Sequence, residues 1–117
     1  KILGGNLFFE RMHTSPWEVF SPICDNFQLL KTTQDILLYK SENNFDVVYF
    51  DAFSPTSQPE LWCVEVFHNM YNALKTGGVI VTYCAKGQVR RDLQSVGFQM
   101  ERLQGPPGKR EMLRGTK

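Results

Sequence analysis

The chain is poor in the residues and runs that mark several large classes of protein. Cysteine occurs three times, at Cys24, Cys63 and Cys84, an odd number with no CxxC pair and no metal-ligand spacing. That excludes a disulfide framework and argues against a zinc site, and free thiols fit a reducing compartment. No apolar run approaches the roughly 20 residues a membrane span needs. The start, Lys1-Ile2-Leu3-Gly4-Gly5, has neither the apolar core nor the cleavage site of a secretory signal. Together these features read as a cytoplasmic protein with no metal and no membrane partner. Glycine-rich phosphate loops are missing too: there is no GxGxxG and no Walker A sequence, and Gly4-Gly5 and Gly77-Gly78 flank helical patterns without cradling a phosphate.

What is present centres on Phe45-Asp46-Val47-Val48-Tyr49-Phe50-Asp51-Ala52-Phe53-Ser54-Pro55. Val47 to Asp51 runs apolar and β-branched or aromatic and ends on a carboxylate, and Ser54-Pro55 stops any regular element. This reads as a buried parallel strand with an acid at its carboxyl end. Open α/β sheets bind ligands beyond the carboxyl ends of their strands, which makes Asp51 the first candidate for chemistry. The alternative is that Asp51 caps the turn leading to Pro59, since aspartate readily bonds the backbone two residues on.

With 117 residues and an apolar share of 42%, there is room for one domain with a modest core. Leu7, Phe8 and Met12 stand at helical offsets between Asn6 and His13, and Thr14-Ser15-Pro16 ends that segment. Trp17 to Phe20 reads as a half-buried turn, with Ser21-Pro22 and Asp25-Asn26 as loops. Phe27 to Thr32 reads as a strand and Ile36 to Tyr39 as a single helical turn. Glu60 to Leu74 is the strongest helix: Leu61, Val64, Phe67, Met70, Tyr71 and Leu74 share one face, and Thr76-Gly77-Gly78 suits a left-handed cap. A buried strand at Val79 to Cys84, a helix at Gly87 to Val96, a strand at Phe98 to Leu103 and a short one at Glu111 to Arg114 follow. The Gly105-Pro106-Pro107-Gly108 connection is too short for a parallel crossover, so the last two strands pair antiparallel. The alternation predicts an α/β fold with a largely parallel sheet and helices on its faces.

Charge is unevenly spread. Residues 1–85 hold five Lys and Arg against nine acids, whereas residues 86–117 hold eight against three. A nucleic acid would be expected to meet Lys86, Arg90, Arg91, Arg102, Lys109, Arg110 and Arg114, because phosphate contacts dominate such affinity. A solvated basic face without a partner is the other reading of the same residues.

Three ordered blocks bear a resemblance to a known family. They are DVVYFDAFSPTSQPELW at Asp46 to Trp62, TGGVIVTYCAKGQVRR at Thr76 to Arg91, and GPPGKREM at Gly105 to Met112. They closely resemble the methyltransferases that complete 5-methylaminomethyl-2-thiouridine at the wobble position of tRNA, both stand-alone and fused to an FAD oxidoreductase. The likeness runs from about Phe8 to the end. It implies the second half of a class I, Rossmann-like S-adenosylmethionine-dependent methyltransferase sheet, mostly parallel with an antiparallel C-terminal strand pair. It also implies S-adenosylmethionine as methyl donor, and as acceptor the amine of a 5-aminomethyl uridine in tRNA.

By the same resemblance Asp51 is the catalytic aspartate, and Asp35, Asp51, Ala52 and Phe53 contact the cofactor. Ser54, Pro55, Trp62, Tyr83, Lys86, Lys109, Arg110 and Glu111 contact the substrate, with Phe53 or Trp62 available to receive a base splayed from its stack. Plainer readings stand beside three of these: Trp62 as helix packing, Tyr83 as core and Lys86 as a solvated helix-start residue. Family members also carry, further upstream, a glycine-rich strand-to-helix turn and a strand ending in an acid for the ribose. This chain has neither, so residues 1–117 are expected to be a single partial domain, the C-terminal portion of a methyltransferase. The alternative function is a noncatalytic α/β fragment that binds RNA or self-associates through exposed strand edges.

Overall fold

The computed structural model describes residues 3–105, 107–108 and 111–117, with side chains from residue 7 onward. The chain divides into two compact units, Lys1–Gln34 and Asp35–Lys117.

In the first unit, helix α1 (Leu3–Thr14) is followed by strands β1 (Phe20–Cys24) and β2 (Phe27–Leu30), which pair antiparallel across the Asp25-Asn26 turn. The residues read as a turn and loop at Phe20 to Cys24 are therefore a strand, and Phe27 to Leu30 belongs to this hairpin. Pro22, the reason to discount the run, is tolerated because a two-stranded ribbon leaves one side of each strand free of ladder bonds. Ser21 and Ile23 turn inward while Phe20, Pro22 and Cys24 face out. The Arg11 guanidinium donates to the Ile23 carbonyl at 2.9 Å. Ahead of the hairpin, Glu18 adopts φ +64° and its N–H donates to the Lys31 carbonyl at 2.7 Å. Its carboxylate accepts from the Thr32 hydroxyl at 2.8 Å and the Thr33 N–H at 3.0 Å. These bonds, that from the Thr32 hydroxyl foremost, hold the Glu18 carboxyl below the usual carboxylate range.

The second unit is a four-stranded sheet, ordered β3-β4-β6-β5, with helices between strands. Strand β3 (Phe45–Tyr49) lies parallel to β4 (Leu74–Thr82), and β6 (Met112–Thr116) is antiparallel to both β4 and β5 (Gln99–Leu103). Three strands thus run one way and β6 the other, the mixed α/β sheet expected of the fold class, including its antiparallel C-terminal pair.

The central expectation needs one correction. Strand β3 is parallel, as expected, but it is not buried: Phe45, Val47 and Tyr49 on one face are exposed, Tyr49 by 80%, and only Val48 and the following Phe50 turn toward the core. A strand reads as a continuous apolar run when both faces are meant for cover, and among the described residues of this unit only one face is covered. The strand also stops at Tyr49, two residues before Asp51.

The predicted helix at Glu60 to Leu74 is broken. A 3₁₀ turn at Pro59–Leu61 precedes helix α2 (Val64–Ala73), and Cys63 is extended at its start. Of the predicted face, Phe67, Met70, Tyr71 and Leu74 pack inward together with Val66 and Ala73, and Leu61 lies against the same core, whereas Val64 faces out. Nor does Gly77-Gly78 cap the helix, because β4 begins directly at Leu74. Between the Phe45–Leu74 and Val47–Val79 pairs, Lys75 to Gly78 loops out of register. Gly77 sits there at φ +86°, and a Cβ on Gly78 would meet the Lys75 carbonyl oxygen at 2.9 Å and the Asp46 carbonyl oxygen at 3.0 Å. Lys117 pins the loop: its Nζ donates to the Leu74 carbonyl at 2.7 Å and its N–H to the Gly78 carbonyl at 2.9 Å.

Helix α3 (Gly87–Ser95) matches its prediction to within a residue and buries Val89 and Leu93. These join Phe50, Trp62, Val66, Phe67, Met70, Leu74, Ile80, Phe98 and Leu113 in one core.

Candidate functional site

Strand direction decides which loops meet. Strands β3, β4 and β5 end on one edge of the sheet, and β6, running opposite, begins there. That edge therefore collects the segment after β3 with Asp51, the segment after β4 with Tyr83 to Lys86, and Glu111 ahead of β6. The edge is where ligands bind in open α/β sheets.

The Asp51 loop is held from three sides. The Phe50 N–H donates to the Val81 carbonyl at 2.9 Å, extending the β3–β4 ladder to the residue before Asp51. The Trp62 indole N–H donates to the Phe53 carbonyl at 2.6 Å. The Ser54 carbonyl accepts from the N–H groups of Ser57 and Gln58 at 3.0 and 2.9 Å, closing a turn. Lys86 then joins this loop to the next: its Nζ donates to the Thr56 hydroxyl at 3.3 Å. The Asp51 side chain is exposed, and no capping bond from it is present among the described residues. The turn at Pro59 is preceded by Gln58, which also makes no side-chain cap. The capping role is thus not the one Asp51 fills.

The remaining candidates sort by place. Phe53 is 73% exposed at the rim, with Ala52 packed half-buried against the core beneath it and Ser54 and Pro55 in the following turn. Tyr83, whose plainer reading was core, is exposed. Lys86 is exposed immediately ahead of α3, and Glu111 pairs with Arg102 at 3.2 Å. Trp62 is the correction. It is only 8% exposed, packs edge-on against Phe50 with ring centroids 4.9 Å apart, and spends its N–H on the loop backbone, so it offers no open face to a base. Lys109 and Arg110 lie outside the described residues.

Asp35 opens a turn in which its carboxylate accepts the Leu37 N–H at 2.9 Å, and that hydrogen bond stays within its own segment. The same stretch packs on α2 through the Asn69 amide, which donates to the Leu37 carbonyl at 3.3 Å. Two features of the loop escaped the sequence. Thr56 has nothing in its pattern to distinguish it from Ser57, and the Trp62 bond to Phe53 had only the general signal that a buried indole finds a partner.

An adenosyl sulfonium carries a cation and a flat base, and the rim presents matching chemistry in an exposed carboxylate at Asp51 and an exposed ring at Phe53. Among the described residues no group of three or more His, Cys, Asp or Glu is placed to hold a metal, and no helix is long and apolar enough to cross a membrane.

The chain belongs to the S-adenosyl-L-methionine-dependent methyltransferases, whose family model matches residues 20–117. Its relatives within that class include proteins of the kind that the three sequence blocks resemble. It is 36% identical over 109 residues to the tRNA 5-methylaminomethyl-2-thiouridine biosynthesis bifunctional protein MnmC of Actinobacillus pleuropneumoniae, covering 93% of this chain and 15% of that protein. It is 34% identical over 100 residues to the protein of the same name from Nitrosospira multiformis, covering 85% of this chain and 16% of that protein. The crystal structure of MnmC2 from Aquifex aeolicus superposes with a TM-score of 0.65 at 27% identity, over 74% of this chain and 30% of that one. The chain therefore spans about one sixth of the length of the curated relatives it matches.

Proposed function

We propose that this chain is the part of a tRNA methyltransferase that receives the acceptor nucleotide, and that the reaction places a methyl group on the aminomethyl nitrogen of a 5-aminomethyl-2-thiouridine at the wobble position. The observation that carries the reading is the Asp51 loop: an exposed carboxylate, on a loop tied down at Phe50, Phe53 and Thr56, at the ligand-binding edge of a methyltransferase sheet. The relatives' names support the substrate, and a tRNA substrate fits a cytoplasmic enzyme.

The cofactor supplies an activated methyl carbon on a sulfonium. On this reading Asp51 accepts an N–H bond from the acceptor amine and aims its lone pair, and its charge stabilises the positive charge that grows on nitrogen. Phe53 offers the exposed face on which a splayed base stacks. Trp62 acts through the Phe53 carbonyl, as a positioning residue. Lys86 sets the distance between the loops after β3 and β4.

The test is methyl transfer by the intact protein to tRNA bearing the aminomethyl group. Asp51→Asn keeps the size and loses the charge, and turnover is expected to fall by about 100-fold, the scale of removing one transition-state electrostatic partner. Undiminished turnover removes Asp51 from the mechanism. A second reading, self-association, is favoured by one observation: β3 is at the end of the sheet, with an edge that is unpaired among the described residues beside exposed Phe45, Val47 and Tyr49. Sedimentation of this chain alone against concentration decides it, a constant monomer mass ruling it out.

A further inference from the structure

The arginines and lysines of the basic C-terminal third are not equivalent once folded. Arg102 pairs with Glu111 at 3.2 Å, and Arg114 pairs with Glu101 across the β5–β6 ladder, so these two guanidinium groups already meet carboxylates. Lys117 is spent on the Leu74 carbonyl, the Asn43 amide and the Tyr71 ring. Lys86, Arg90 and Arg91 meet no carboxylate among the described residues either, and each is held by a single side-chain hydrogen bond there: Lys86 with the Thr56 hydroxyl, Arg90 with the Gln94 amide oxygen at 3.3 Å, and Arg91 with the Gln88 amide oxygen at 3.1 Å. The Arg90 Nε is buried and without a hydrogen-bond partner there. Asp92, the acid on this helix, accepts from Gln88.

Their placement is as informative as their pairing. Arg91 folds back toward the start of α3, where its Nη1 lies 3.2 Å from the position a Cβ would take on Gly87. Lys86 reaches the Asp51 loop directly. Among the described residues of this third, Lys117 also meets no acid but lies at the opposite edge of the sheet, beside the start of β4, so the charges without a paired acid near the candidate acceptor site are Lys86 and Arg91 at the start of α3 and Arg90 in its first turn. A cation already paired with a carboxylate must give up that partner to bind a phosphate, so its gain is smaller.

We propose that Lys86, Arg90 and Arg91 form the contact for the phosphate backbone of the RNA substrate, and that Arg102 and Arg114 do not. This rests on the tRNA reading above and names where that polyanion is gripped. The bland face of solvated charge predicts no such division.

The test is filter binding of an unmodified tRNA transcript to the intact protein across a series of potassium chloride concentrations. Each phosphate contact contributes about one to the slope of log affinity against log salt. The K86Q/R90Q/R91Q variant is expected to lower that slope by about two to three and R102Q/R114Q to leave it unchanged. Equal slopes for the triple variant and the parent overturn the proposal, as does a loss confined to the strand variant. Should the triple variant fail to fold by circular dichroism, Arg91→Gln alone decides, with an expected drop of about one. Asp51→Asn separates the two readings: methylation retained with a lowered salt slope in the helix variant refutes the mechanism and leaves this contact standing.

Discussion

Replacing Trp62 with phenylalanine separates two tasks of one side chain. The indole fills the core against Phe50 and Phe67, at ring-centroid distances of 4.9 and 6.3 Å, and its N–H bonds the Phe53 carbonyl at 2.6 Å. Phenylalanine keeps a six-membered ring in the core and loses the donor. A net hydrogen bond is worth about 1 kcal/mol, and partial loss of two edge-on aromatic contacts adds about 1 kcal/mol, so unfolding free energy should fall by about 2 kcal/mol. That is a large share of the roughly 5 to 15 kcal/mol of an ordinary domain, yet not enough to unfold it.

Urea unfolding followed by far-UV circular dichroism measures the total. Hydrogen exchange then separates the tasks, because the Ser57 and Gln58 amides are held by the Ser54 carbonyl within the same loop. If the indole anchors the Asp51 loop, those two amides exchange by local opening in Trp62→Phe, faster than global unfolding allows. If they slow and quicken only in step with global stability, Trp62 is a core residue and nothing more. An unchanged urea midpoint would sink the energetic reasoning as well.

Other consequences are more local. Gly78→Ala should cost about 1 to 3 kcal/mol, since a Cβ would press on two backbone oxygens and on Leu74 Cδ2 at 3.0 Å, and thermal melts of the alanine variant check it. Gly77→Ala meets no atom within 4 Å and pays only for φ +86°, about 1 to 2 kcal/mol. Glu18 gives a pH dependence of known sign: its carboxyl is held below the ordinary value in the folded chain, so its contribution is complete above about pH 4.3 and is lost as pH falls through the lower folded value. Carboxyl-carbon NMR titration should show that depressed value, and Thr32→Val, which removes the first of the bonds responsible, should bring it back up; a Glu18 that titrates normally in the parent refutes the clamp.

The sequence made the second unit legible where local pattern and tertiary role agree. Helix α3 carries its apolar positions, Val89 and Leu93, four apart, and its boundaries are those the pattern implies. The antiparallel return of β6 followed from a connection too short for a crossover. Misreadings fall where one element's signal hides another's boundary. Leu61 and Phe67 look like one helical face although Cys63 breaks the helix between them, because periodicity carries no information about a single extended residue. Gly77-Gly78 looks like a helix cap although it loops out within β4, because a left-handed glycine serves either purpose. In the candidate site, the type and place of Asp51 were legible from an acid after an apolar run. The grip on its loop was not, since the bonds from Trp62 and Lys86 join positions nine and thirty residues apart.

The uneven charge of the sequence becomes an arrangement at the sheet edge. The loop after β3 presents an acid, Asp51, and the turn after β4 presents Lys86, Arg90 and Arg91, with one hydrogen bond, Lys86 to Thr56, holding the two loops together. A substrate that is negative throughout would be repelled by the first loop, and one that is positive throughout by the second. An aminomethyl group on tRNA is neither: it is an amine carried on a polyanion, an ammonium cation in solution that gives up its proton to water before its lone pair can take the methyl group. On the reading proposed above, opposite charges on adjoining loops sort such a molecule by its two ends, the backbone drawn to the basic turn and the amine to the carboxylate. On this reading the Lys86 bond is more than a tether, since it fixes the spacing between the group that grips phosphate and the group that meets nitrogen. That is why Lys86→Gln should impair tRNA binding, whereas Thr56→Val, which leaves every charge in place and loosens only the spacing, should leave the salt slope intact and slow turnover.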